Sequence, residues 1–182
     1  QSETWTSKTA FTEVSVTTRY YYDRGSAGFN YSRSDEDDYE SDAVAVDASY
    51  DSDDGMSTYS ASLSASADEI EPTQGVTPTG TLKDEKDIRS AWVGVSRIVS
   101  KRAILRFRLS YTYRDGFLTD PYKLNDERPD RRNEWVIQGG YRQFLVTPNA
   151  ALHVDYRYFN DDWGIDAHTV DIAWHQNVGG RT

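Results

Sequence analysis

Cysteine is absent from the 182 residues and methionine occurs once. The first absence excludes disulfides and thiolate metal sites, and it suits a protein exported through an oxidising periplasm. No stretch approaches the roughly 18 consecutive apolar residues of a membrane helix, so a segment that crosses a bilayer must be a β-strand. The opening residues Gln1, Ser2 and Glu3 show no signal peptide. Clustered basic charge is also lacking: 20 Lys and Arg stand against 30 Asp and Glu, for a net charge of -10, and the bases are interleaved with acids. Phosphate backbones need concentrated positive charge, so nucleic acid is excluded as a partner.

Aromatic side chains are plentiful instead. Thirteen Tyr, five Trp and six Phe sit in a chain whose mean hydropathy is only -0.77. A solvated acidic chain without a fold has no use for so many rings; they must be buried or lie at an interface.

Their placement follows a period of two, the spacing at which a strand sends alternate side chains to opposite faces. Over residues 103–113, Ala103, Leu105, Phe107, Leu109, Tyr111 and Tyr113 alternate with Ile104, Arg106, Arg108, Ser110 and Thr112. Leu152, Val154, Tyr156 and Tyr158 alternate with His153, Asp155, Arg157 and Phe159, and Val170, Ile172 and Trp174 with Thr169, Asp171, Ala173 and His175. Upstream, Tyr59, Ala61, Leu63 and Ala65 alternate with serines, while Val14, Val16, Tyr20 and Tyr22 oppose Glu13, Ser15, Thr17 and Arg19. Ala27, Phe29 and Tyr31 repeat the pattern, and further strands are predicted over 44–50, 88–99 and 135–145. In 88–99 both Trp92 with Ile98 and Ala91 with Val93 and Val95 qualify as the outward set.

About nine strands result, with connections that differ by side. Short turns are predicted near 23–25, 51–55, 100–101 and 146–149; longer or more acidic connections span 35–38, 68–87, 115–133 and 160–165. About eleven residues at about 3.3 Å each, tilted by roughly 40°, cross a hydrocarbon layer about 25 Å tall. Tyr20, Tyr22, Tyr31, Tyr50, Tyr111, Tyr113, Trp135, Tyr158 and Trp174 fall near strand ends, as interfacial girdles do. The expected fold is all-β, an antiparallel transmembrane β-barrel, with residues 1–182 forming a single barrel region and no separate soluble domain.

Three stretches carry a family resemblance: YSRSDEDDYESD (31–42), DGFLTDPYK (115–123) with RPDRR (128–132), and ALHVDYRYFNDDWGIDAHTVDIAW (151–174). They resemble a family of outer-membrane β-barrel proteins of Gram-negative bacteria catalogued as a domain of unknown function. The resemblance implies the bacterial outer membrane as location and a longer barrel, of which this chain is a fragment or the ordered part. It carries no catalytic or ligand residues. The family's association with thioredoxin-like and flavin-transferase genes hints at redox work at the cell surface.

The most suggestive chemistry is the polar strand face: Arg106, Arg108, Arg142, His153, Asp155, Arg157, Asp171 and His175 are candidates to line a lumen, either as an ion-selecting wall or as a salt-bridged network. A hairpin through 146–149 would set Arg142 across from His153, with Asp155 one inward step along the strand. Asp35, Glu36, Asp37 and Asp38 are expected to form a solvated acidic loop, with Ca²⁺ as the alternative reading. Asp51, Asp53, Asp54 and Gly55 read as turn chemistry, and Asp161, Asp162, Trp163 and Gly164 as a compact loop tip. His153, His168 and His175 have no fixed metal-ligand spacing, so no metal and no cofactor is expected. No nucleophile, base and orienter occur in a motif, and the chain reads as a non-enzyme. The expected role is a porin-like channel, or a sheath or scaffold for a partner, with outer-membrane lipid and other envelope proteins as neighbours. The alternatives are a structural or adhesive barrel using its acidic loops and, less favoured, a barrel hydrolase.

Overall fold

A computed structural model describes residues 12–36, 38–71, 84–120, 126–177 and 179. The described chain is one antiparallel meander with no helix: β1 (Thr12–Tyr22), β2 (Gly25–Glu36), β3 (Tyr39–Asp51), β4 (Ser57–Ile70), β5 (Asp84–Ser100), β6 (Ala103–Gly116), β7 (Arg131–Leu145), β8 (Ala150–Asp161) and β9 (Asp166–Gln176). Each strand pairs with its sequence neighbours in a single sheet ordered β1 to β9. Tight turns fit this path: Asn149, with φ 62°, and Gly55, with φ 64°, take the left-handed backbone that closes the β7–β8 and β3–β4 turns.

The two faces differ completely. Directly paired residues share a face, so the register sorts the side chains. One face carries Val14, Val16, Phe29, Val44, Val46, Leu63, Val93, Leu109, Phe107, Ile137, Val154, Val170 and Ile172. Among the described residues no protein covers it: Leu63 is 60% exposed, Ile172 68%, and the only buried hydrophobic residues are Ala103 and Ala150. A folded chain in water does not leave a contiguous apolar surface of this extent bare. Bare apolar side chains over polar ones are the arrangement of a sheet whose solvent is lipid.

Interfacial residues mark the edges of the apolar band. Tyr22, Tyr50, Tyr59, Tyr141 and Trp174 lie toward the short-turn end, and Tyr31, Tyr113, Trp135 and Tyr158 toward the other. On β5 the band runs from Arg89 to Arg97, about 26 Å along the strand at about 3.3 Å per residue. Beyond the upper girdle the same face turns charged, with Arg33, Asp42, Glu69, Asp87 and Asp115. Strands here are 11 to 17 residues long, and the extra length lies mostly past the band.

That extension corrects two expectations. Residues 68–87 were expected to form one connection, yet β4 continues to Ile70 and β5 starts at Asp84. Cross-strand pairing of Asp68 with Lys86 holds them together there, their charged groups 3.1 Å apart. Likewise Asp35 and Glu36 are not loop residues: they end β2, in register with Glu40 and Tyr39 of β3. Asp38 occupies the turn, and Asp37 lies outside the described residues. Register also resolves β5. Ala91, Val93 and Val95 belong to the apolar face, and Trp92 pairs with Ser62 and Ser110 on the polar one.

Candidate functional site

All eight lumen candidates fall on the polar face, because pairing aligns Arg142 with His153, Gly140 with Asp155, Gln138 with Arg157, and Asp155 with Asp171. Two adjacent rows of paired residues form the centre of this face. One runs Ser60, Gly94, Arg108, Gln138, Arg157, Thr169; the next runs Thr58, Ser96, Arg106, Gly140, Asp155, Asp171. A cavity of about 380 Å³ is lined by residues of both rows from β4 to β9.

The charges along it are treated unequally. Arg142 donates from Nη2 to Asp155 Oδ2 at 2.6 Å and from Nη1 to the Val154 carbonyl at 3.3 Å. Arg106 approaches the other oxygen of Asp155 at 3.9 Å, passing over Gly140. Arg108 lies over the Trp92 ring, 4.1 Å from its centroid, and Arg157 lies 5.1 Å from the Phe159 centroid. His153 and His175 bring their rings to 4.7 Å of one another. His168, in contrast, is on the apolar face, where its Nδ1 shares a 2.7 Å hydrogen bond with the Tyr156 hydroxyl. Three histidines therefore do not converge, and among the described residues no group of three or more metal-ligating side chains does.

Above the cavity, toward the long connections, lies a second network. Arg114 Nε donates to Glu134 at 3.0 Å, Arg132 reaches Glu134 at 3.3 Å, and Arg132 binds Asp161 through Nε at 3.0 Å and Nη2 at 2.5 Å. The Asp161 side chain is fully buried, a state a carboxylate tolerates only when its lone pairs are met. They are: its other oxygen accepts from the backbone N–H of Trp163 at 3.1 Å and of Ile165 at 2.8 Å. Next to it, the side-chain and backbone amides of Asn133 hold the Asp162 carboxyl below the usual carboxylate range. The tip of residues 161–165 is thus clamped to β7, with Trp163 donating from its indole to the Arg131 carbonyl at 2.8 Å.

A run of strands with one bare apolar face, two aromatic girdles and a charged polar face is the wall of a transmembrane β-barrel. Over residues 10–182 the sequence matches the family model described as Protein of unknown function (DUF3570). The chain belongs to that family. Its structure is similar to that of CdiB from Acinetobacter baumannii, a transmembrane β-barrel, with a TM-score of 0.55 and 15% identity over 90% of this chain and 34% of that chain. This DUF3570 chain therefore spans about a third of the length of CdiB. No curated protein matches the sequence.

Sequence reasoning about this DUF3570 chain missed three ion-pair sets on the polar face: Arg19 with Asp47 at 2.8 Å, Lys86 with Asp68, and the ladder of Arg114, Glu134, Arg132 and Asp161. A signal for the last existed. Stepping back by two from Arg142 through Gly140, Gln138 and Val136 gives Glu134 and Arg132 on the same face.

Proposed function

We propose that this chain forms part of the wall of a bacterial outer-membrane β-barrel, with its polar face turned to a water-filled conduit, and that the protein acts without catalysis. The observation that carries this reading is the charge pattern of the polar face. Arg106, Arg108, Arg157, Asp155 and Asp171 line one cavity, and Arg106, Arg108 and Asp171 are exposed. Ionised groups that face neither lipid nor a packed core need water, and a barrel lumen supplies it. The apolar band of about 26 Å along β5 rises about 20 Å at a strand tilt of roughly 40°, near the roughly 25 Å apolar band of outer-membrane barrels.

The test is conductance of the full-length protein in a planar bilayer, after membrane fractionation of a Gram-negative host and a heat-modifiability check for folding. Steady conductance from folded protein supports the conduit. A silent bilayer holding folded, heat-modifiable protein overturns it and favours a barrel filled by a partner.

A further inference from the structure

We propose that the row Arg108, Gln138, Arg157 is an oxyanion-binding station, taking a small water-soluble carboxylate or phosphate; its setting in a lumen rests on the conduit reading. Among the described residues neither Arg108 nor Arg157 has a carboxylate partner or a hydrogen-bond acceptor; each is held only against a ring, Trp92 at 4.1 Å and Phe159 at 5.1 Å. Contact with an aromatic face occupies the plane of a guanidinium and leaves its N–H edge free, and that edge is what pairs with an oxyanion. It also restricts the side chain beforehand, which lowers the ordering cost of binding.

The row geometry sets the two arginines on either side of Gln138, on β6 and β8. Strands two apart lie about 10 Å from each other, so an anion in the cavity meets a cation from either side and a carboxamide between them. Local charge agrees. Of the carboxylates lining the cavity, Asp155 is already engaged by Arg142 at 2.6 Å and by Arg106 at 3.9 Å, which leaves Arg108 and Arg157 facing Asp171 alone. A chain of net charge -10 has here a patch of the opposite sign. A glycine keeps the row itself uncrowded: Gly94, which pairs with Arg108, adds no side chain to it.

The experiment titrates inorganic phosphate into the full-length protein, folded in detergent, by calorimetry, and measures the reversal potential in a KCl gradient across a planar bilayer. Wild type, Arg108→Gln/Arg157→Gln, Arg108→Lys/Arg157→Lys and Asp171→Asn are compared, each first shown to be heat-modifiable. Saturable phosphate binding is expected in wild type. It should weaken at least tenfold in the glutamine pair, persist in part in the lysine pair, and hold or tighten in Asp171→Asn. The reversal potential should move toward cation preference in the glutamine pair. A conducting barrel with no phosphate binding, or with binding and selectivity unchanged in the glutamine pair, overturns the station and leaves the conduit standing. A silent barrel that binds phosphate through these arginines overturns the conduit and keeps the station.

Discussion

Arg106 on β6 reaches Asp155 on β8 over Gly140, the residue of β7 that pairs with both. A Cβ on Gly140 would stand 2.9 Å from Asp155 Oδ1. The arrangement recurs on β1 to β3, where Arg19 and Asp47 meet at 2.8 Å over Gly28, whose Cβ would lie 2.5 Å from Asp47 and 2.7 Å from Arg19. In both places a missing side chain on the middle strand permits an ion pair between strands that do not touch.

Gly28→Val should therefore uncouple Arg19 from Asp47. A double-mutant cycle of Arg19→Ala and Asp47→Ala, read from urea midpoints in lipid vesicles, is expected to give a positive coupling in wild type and none in the Gly28→Val background. An equal coupling in both backgrounds would mean that the glycine is not what allows the pair.

Neighbouring residues on opposite faces should respond oppositely to the same charge. Leu63 is 60% exposed in mid-strand on the apolar face, whereas Ser62 pairs with Asp47 and Trp92 on the polar one. Leu63→Arg is expected to cost about 2–4 kcal/mol of unfolding free energy in a bilayer, and Ser62→Arg close to nothing. Similar costs at the two positions would remove the assignment of faces.

Three tryptophans report depth. In single-tryptophan variants, a quencher attached near the lipid headgroups should quench Trp135 and Trp174, which belong to the two girdles. Trp92, under Arg108 on the polar face, should escape it and respond to aqueous iodide.

The loop tip should weaken only in acid. Hydrogen bonds from Asn133 hold the Asp162 carboxyl below its ordinary value, so the folded form binds its proton less readily than the unfolded chain. Its contribution is complete above the unfolded value of about 3.9 and is lost as pH falls through the lower folded value. Asn133→Ala should return Asp162 toward the ordinary range, which a carboxyl NMR titration will show.

Strand number and the two-faced character were legible because each strand repeats its own alternation: Leu105, Phe107 and Leu109 need no partner to be read. The arginines and acids on the opposite positions could be placed on one face for the same reason. What joins them could not. Arg132 with Asp161, or Lys86 with Asp68, depends on register between strands, and one strand's sequence does not contain it. The face of β5 was ambiguous because Trp92, large and apolar, serves as a platform for Arg108 on the polar side. Strand ends were read short at Asp35, Glu36 and Asp84 because the pattern followed hydrophobicity, and the strands continue on hydrogen bonds and ion pairs after the apolar residues stop.

One row of paired residues starts at Tyr22, the last residue of β1, passes through Gly25, Tyr50, Tyr59, Val95, Phe107, Gly139 and Tyr156, and arrives at Val170, midway along β9. Hydrogen-bond rows in this wall are consequently spiral ramps, and residues level with one another in the bilayer come from different ramps. A collar of identical side chains at one height would have to change ramp every few strands, and a solute moving along the wall would meet its charges as successive steps of a staircase.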